Sequence, residues 1–224
     1  MGAESAVKFI LAGELAPHRQ FILENGARPV SFPAGMVLSQ ETEVPARVYY
    51  LLDGMTKAYT NNLDGYIRLL GYQQADTLCV LDGLRGTSPS VVTIQTITPV
   101  LAVPLTQEDL CRLGSLSPQF ALDLAFFVGD TLRFMCFDAK NQSIGDVGTR
   151  LANFLLLYRT SPDYRKSGYV AMSQENLASA VNASRVQVAR ICSQMQKAGI
   201  ISTRRGKVKL LDEKALALWA KGGR

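Results

Sequence analysis

The sequence predicts an α+β chain with a β-rich front, one long helix and a basic, helical end. Three observations predict it. Short apolar runs separated by turn residues fill about residues 29–105. From Ser117-Pro118 to about Ser143, apolar residues recur at three- and four-residue steps. Residues 172–211 read as helix, sharp turn, helix and basic hairpin.

The front is a set of short strands. "RVYYLLDG" (47–54), "TKAYT" (56–60) and "YIRLLGY" (66–72) are rich in β-branched and aromatic residues, with turns at Asp53-Gly54 and Asp64-Gly65. "SVVTIQTI" (90–97) and "VLAVPL" (100–105) continue the series. Strands at this spacing suggest a small barrel or double-sheet roll. Thr106 caps a short helix over "QEDLCRL", with acidic residues in its first turn.

The long helix starts at a proline, which suits a first turn. Leu122, Ala125, Phe126, Gly129, Leu132, Cys136 and Ala139 form one stripe. A mid-helix glycine costs about 1 kcal/mol against alanine, and a close approach of two helices accounts for it. The stripe therefore predicts a self-complementary seam between two copies. "VGTRLANFLLLYR" (147–159) is a second amphipathic helix, and "SPDYRKSGY" (161–169) reads as a polar connection. The boundaries expected are 1–116 for the roll, 117–143 for the long helix and 144–224 for the helical end.

Composition excludes several function classes. The chain has 224 residues, 47% hydrophobic and 19% charged, an ordinary globular balance. No run approaches the roughly 18 apolar residues of a spanning helix, and the N-terminus lacks signal-peptide features, so the expected location is the cytoplasm, away from membranes. Cys79, Cys111, Cys136 and Cys192 are far apart, against a zinc ribbon or iron–sulfur run. His18 is the single histidine and has no motif around it, which argues against a catalytic triad, a roll-borne metalloenzyme and an enzyme in general. A surface or satisfied histidine is expected. Residues 1–144 carry 10 Lys and Arg against 14 Asp and Glu, a net −4, whereas residues 145–224 carry 14 against 5, a net +9. Such a basic end attracts phosphates and releases their counterions.

The basic end also holds the informative motif. Ser173 caps a helix with Leu177, Ala178 and Val181 inward. Asn182 takes the sharp turn and Ser184 caps the next helix. There Val188, Ile191, Cys192 and Met195 point inward, while Arg185, Val186, Gln187, Ala189 and Arg190 point outward. This is helix-turn-helix geometry, whose second helix enters the major groove of DNA. Arginine bonds guanine bidentately, and Arg204, Arg205 and Lys207 of the hairpin can reach phosphates.

On "FPAG" (32–35), "VYYLLDGMTKAY" (48–59), Pro118, "DVGTRLANFLL" (146–156), "SQENLASAVNASRVQVAR" (173–190) and "AGIISTRRGKVKLLD" (198–212), the chain resembles the CRP/FNR family. The resemblance implies a jelly-roll, cyclic-nucleotide-binding-like sensor, a dimerisation helix and a winged helix-turn-helix. It implies double-stranded DNA with an inverted repeat, a second copy of the chain, RNA polymerase and a small-molecule effector as partners. It places Ser173, Ser184, Arg185, Val186, Gln187, Arg190, Arg204, Arg205 and Lys207 at the DNA.

The departures concern the effector. Where cyclic-nucleotide-binding members have Gly-Glu and Arg-Ser pairs, this chain has Cys79-Val80 and, roughly, Ser90-Val91. Met135 and Cys136 stand where a polar pair meets adenine. A buried cyclic phosphate would lack compensation, so no cyclic-nucleotide response is expected. The N-terminal cysteines of iron–sulfur members are missing. "DTLC" resembles the stretch with the thiolate ligand of haem-containing members, with a buried structural thiol as the alternative for Cys79. No cofactor is expected otherwise. Arg68 and Arg85 are candidates for a small organic anion. The competing readings are a haem-based gas or redox sensor and a ligand-binding adaptor without DNA binding.

Overall fold

The computed structural model describes residues 7–61, 66–85 and 87–223. The chain divides into two compact units, residues 10–130 and residues 131–224 joined by the segment through Phe9.

In the first unit β1 (Ile10–Leu11) leads through a 3-10 turn into α1 (Arg19–Asn25). Then come β2 (Val30–Phe32), β3 (Val37–Ser39), β4 (Val48–Asp53), β5 (Thr56–Asn61), β6 (Ile67–Gln73), β7 (Leu78–Cys79), β8 (Thr93–Thr96) and β9 (Val100–Leu105). They form a five-stranded sheet, β1-β6-β5-β8-β3, and a four-stranded sheet, β2-β9-β4-β7. This is the expected double-sheet roll. Alternation explains why: on β4, Val48, Tyr50 and Leu52 join a core with Leu78, Val103, Leu105, Phe120 and Phe127. Leu51 points the other way, into a cluster with Cys79, Ile94 and Ala102.

Asp53-Gly54 turns as predicted, with Gly54 at φ +91°. A Cβ there would strike the Pro99 carbonyl oxygen and the Val100 Cα. Gly54→Ala is therefore expected to cost about 2–3 kcal/mol in denaturant unfolding, through backbone strain and the clash together. A midpoint equal to wild type would show that the turn can move. The Asp64-Gly65 turn lies outside the described residues.

One strand differs from the sequence expectation. "SVVTIQTI" becomes strand only from Thr93, because Ser90 is pulled into a turn: its Oγ bonds Asp82 Oδ2 at 2.6 Å and the Val92 carbonyl at 2.7 Å. His18 is the satisfied rather than the surface histidine of the two expected. His18 is buried and its Nε2 lies 2.7 Å from Asp123 Oδ2. This contact, with Gln119 assisting, holds the Asp123 carboxyl below its ordinary range.

α2 (Gln107–Leu116) starts in a capping box between Thr106 and Asp109. α3 (Pro118–Gln142) follows, and the border between the units falls within it. Phe120, Phe127, Phe134 and Asn141, seven residues apart, are its buried line. Leu122, Ala125, Phe126, Leu132, Cys136 and Ala139 are exposed, so the predicted stripe is the uncovered face. A Cβ at Gly129 would meet nothing within 4 Å. Nothing in the chain itself calls for glycine there.

The second unit contains α4 (Val147–Tyr158), α5 (Pro162–Ser167), α6 (Gln174–Ala180), α7 (Arg185–Lys197), β10 (Ile201–Arg204), β11 (Lys207–Leu210) and α8 (Glu213–Trp219). The Phe9 ring packs edge-on against Phe134 and Phe154, with centroids 5.7 and 4.8 Å away. α5 replaces the expected polar connection. Ser161 caps it, Pro162 opens it and Gly168 closes it at φ +71°, but six residues are too few for a periodic signal. Among the described residues, no helix is long and apolar enough to cross a membrane.

Candidate nucleic-acid interface

The Ser173 Oγ accepts from the Asn176 N–H at 3.1 Å and fixes the start of α6. Leu177, Ala178 and Val181 are buried beneath it. Asn182 then takes φ +50°, the left-handed turn expected of it. Arg150 of α4 secures that turn. Its Nε donates to the Val181 carbonyl and one terminal nitrogen to the Asn182 carbonyl, both at 3.0 Å. The other terminal nitrogen donates to the Ile144 carbonyl at 2.6 Å.

α7 opens with a second capping box: Ser184 Oγ accepts from the Gln187 N–H at 3.2 Å, and Gln187 Oε1 accepts from the Ser184 N–H at 2.9 Å. Val188, Ile191, Cys192 and Met195 are buried as predicted. Arg185, Gln187 and Arg190 are exposed, Ala189 is half-buried, and Val186 is 78% exposed at the prow.

β10 and β11 pair with Arg204 opposite Lys207, and Arg205-Gly206 make the turn at φ +45° and +75°. Both values are positive, so the turn is of the primed kind that matches strand twist. Arginine is an uncommon choice for its first position. Val170 bonds Val208 through both backbone groups, adding a third edge to the hairpin. Val208 and Leu210 face inward while Lys207 and Lys209 face outward. The Lys207 ammonium lies 5.8 Å from the Tyr169 ring centroid.

Two grooves flank α7. One of about 360 Å³ gathers Ser173, Glu175, Arg185, Arg204, Arg205 and Lys207. The other, about 260 Å³, is lined by Gly145, Gly148, Gln187, Arg190, Gln194 and Trp219. The nine residues expected at DNA thus lie on one helix-turn-helix and its hairpin. Sequence reading missed Arg150, Tyr169 and Lys209. The alternation of "KVKL" carried the signal for Lys209; a helical arginine and a loop tyrosine carried none.

Of the five effector candidates, Arg68, Cys79 and Arg85 belong to the first unit. Arg68 is buried on β6, and Arg85 is exposed at the end of the 3-10 turn Leu81–Arg85. Met135 is half-buried and Cys136 exposed on the part of α3 that belongs to the other unit. Cys79 is fully buried, and burial pushes its thiol up to about 12. Its surroundings, Leu51, Ala58, Ile94 and Ala102, are those of a structural thiol. Burial likewise raises Cys192 to about 11. Cys111 and Cys136 are exposed. Alkylation at pH 8 is therefore expected to modify Cys111 in the folded chain, and Cys79 and Cys192 only after denaturation. Mass spectrometry that found Cys79 modified first would overturn the buried-thiol assignment.

Residues 149–219 match the family described as the Crp-like helix-turn-helix domain. No curated protein matches the chain in sequence. Among solved structures, a CRP/FNR-family transcriptional regulator from Thermus thermophilus is 23% identical with a TM-score of 0.70, covering 87% of this chain and 98% of its own. The c-di-GMP responsive global regulator CLP of Xanthomonas campestris is 19% identical with a TM-score of 0.75, covering 88% and 99%. A CooA mutant from Carboxydothermus hydrogenoformans is 16% identical with a TM-score of 0.75, covering 89% and 90%. The C-terminal region is a Crp-like helix-turn-helix domain, and the whole chain has the fold of the CRP/FNR-family transcription regulators.

Proposed function

We propose that this chain is a homodimeric, sequence-specific transcription regulator. It binds an inverted-repeat operator through α7 and the β10–β11 wing and works with RNA polymerase in the cytoplasm, without enzymatic activity. The carrying observation is a recognition helix capped at both Ser184 and Gln187, with Arg185, Val186 and Arg190 exposed beside a basic hairpin. The exposed stripe of α3 supports the dimer.

The effector is a small molecule other than a cyclic nucleotide, sensed in the β-roll. Supporting this, the Ser90 hydroxyl and the Val91 N–H are already taken by the Asp82 carboxylate, at 2.6 and 2.9 Å. An internal anion thus occupies donors near the place where a cyclic phosphate would need them. Calorimetry with cyclic AMP or cyclic GMP is expected to give no heat of binding; a micromolar dissociation constant would overturn this.

The deciding experiment is selection from random duplexes with the full chain. Enriched sites are expected to be inverted repeats with half-sites about 34–36 Å apart, one helical turn. Recovery of unrelated sequences alone would sink the reading. Arg185→Ala should cost about 1–3 kcal/mol on the selected site and relax one base position. Loss of Arg204, Arg205 or Lys207 should weaken all sequences alike and lower the salt slope by about 1 each. Val186 accepts no hydrogen bond from cytosine but packs on a thymine methyl, so thymine is expected at its position.

A further inference from the structure

Phe9, Ile10 and Leu11 are consecutive and all buried. Neighbouring side chains of an extended segment point to opposite sides, so three buried in a row need cover on both. Leu11 joins the core of the roll with Leu15, Tyr50 and Phe120. Phe9 belongs to the second unit, edge-on to Phe134 and Phe154 and 6.3 Å from the Tyr158 ring centroid. The chain passes between its units at Asp130-Thr131, within α3, and at Phe9-Ile10. The latter crossing is one peptide bond, so the Cα atoms on its two sides are about 3.8 Å apart and neither anchor moves without the other.

On the roll side the segment is bonded to the end of β6 and the turn after it. The Leu11 carbonyl accepts from the Gln74 N–H at 2.9 Å, and the Gly13 and Leu15 N–H groups donate to the Ala75 and Asp76 carbonyls at 3.0 and 2.9 Å. On the other side Phe154 and Tyr158 follow Arg150 along α4 in steps of four, a spacing that shares a helix face. The Arg150 guanidinium holds the Val181 and Asn182 carbonyls just before α7. The seat of Phe9 and the support of α7 are thus one stretch of one helix.

We propose that Phe9–Leu15 is a strap that transmits changes at the β6–β7 turn to α7, by way of the Phe9 ring and α4. The inference rests on the DNA-binding reading above and gives the roll a route by which it regulates that site. The seated ring and the formed turn occur in one conformer, so each stabilises the other. Coupling between two sites is reciprocal, so DNA held at α7 tightens the strap.

The test is hydrogen exchange read by mass spectrometry on the full-length protein, free and with the selected operator duplex. In wild type the operator is expected to slow exchange at residues 10–15 and 72–76 by about fivefold or more. Two glycines inserted between Phe9 and Ile10 keep the ring and β1 but add about 7 Å of slack. With the insertion, the operator should still protect α7, yet change exchange at residues 10–15 and 72–76 by less than about twofold. A ring that only fills space would transmit nothing for the insertion to remove. Equal protection in the two proteins would overturn the proposal, as would a wild type whose α7 is protected by DNA while residues 10–15 are not. A further arm needs no DNA. In the free protein Phe9→Ala should speed exchange at residues 10–15 and 72–76 by about tenfold and leave residues 93–96 within about twofold of wild type, with Phe9→Leu in between. Unchanged exchange in Phe9→Ala would overturn the strap, and so would an equal rise at residues 93–96, which marks a general loss of packing. If wild type binds no duplex, the DNA reading falls and the free-protein arm decides the strap.

Discussion

Leu132→Glu is expected to separate the two copies of the chain and to remove operator binding while leaving each copy folded. Leu132 is 63% exposed and Phe126 61% exposed, so neither side chain contributes its apolar area to the fold of one chain. Leu122, Ala125, Gly129, Leu132, Cys136 and Ala139 follow alternating steps of three and four, the spacing of a two-helix seam. In a symmetric dimer a substitution appears twice and can face itself across the axis, so one glutamate becomes two like charges in a desolvated place. A dimer binds its second half-site at an effective concentration in the millimolar range, and loss of that gain lowers operator affinity by about 10²–10⁴. Sedimentation equilibrium should show a monomer at micromolar concentration with wild-type circular dichroism, and a gel shift should lose the operator band. Leu132→Ile should retain both. Gly129→Leu is the complementary probe. Space is open around Gly129 within one chain, so any loss of association it causes must come from contact with another copy. A Leu132→Glu protein that remained dimeric would place the seam elsewhere.

What the sequence disclosed followed from how local each signal is. Capping residues act within four positions, so Thr106, Ser173 and Ser184 mark helix starts whatever the rest of the fold does. The strands were legible where alternation ran for six or seven residues, as on β4 and β6, and illegible in β1, which has two residues and pairs in parallel with Tyr72-Gln73. The outward residues of α7 were legible because helix amphipathicity has a fixed period, so the outward set is the complement of the buried one. His18 could not be assigned a partner, because Asp123 lies 105 residues away. The surroundings of the effector candidates were the least legible. Arg68, Cys79 and Arg85 have side chains in a buried, a sealed and an exposed place, and residue type says nothing about which. Gln187 shows a different limit: its type pointed toward DNA, but the bond that occupies half of its amide depends on the position of the cap.

Arg150→Ala is expected to be the most damaging single change to the DNA-binding unit among its arginines. In sequence Arg150 is an ordinary cation in the first turn of an amphipathic helix, where the dipole gives it no advantage. In the structure its guanidinium reaches three carbonyls, those of Ile144, Val181 and Asn182, and spans the end of α3 and the turn before α7. Its own carbonyl accepts from Asn141 Nδ2 at 3.2 Å, and Asn153 Nδ2 donates to Asn141 Oδ1 at 3.1 Å, extending the network. The turn it holds includes Asn182 in a left-handed conformation, which by itself costs about 1 kcal/mol and persists because its surroundings fix it. Charge-assisted bonds contribute about 1.5–3 kcal/mol each, but two of these are partly buried and the one to Asn182 is exposed, so water can replace some of them. The net loss on Arg150→Ala should therefore be about 2–4 kcal/mol, or a Tm lower by about 5–12 °C for a chain of this size. Arg150→Lys should recover only part, because a single ammonium cannot reproduce a planar fork aimed at three acceptors. The same contacts set where α7 begins relative to α6. Operator affinity measured well below the Tm should thus fall in Arg150→Ala even though no DNA-facing side chain has changed, whereas the exposed substitution Arg185→Ala should lower affinity with the Tm unmoved. Scanning calorimetry that placed the Arg150→Ala Tm within about 1 °C of wild type would show that the three carbonyls are equally well served by water, and the turn would then owe its geometry to Val181 and Leu177 packing alone.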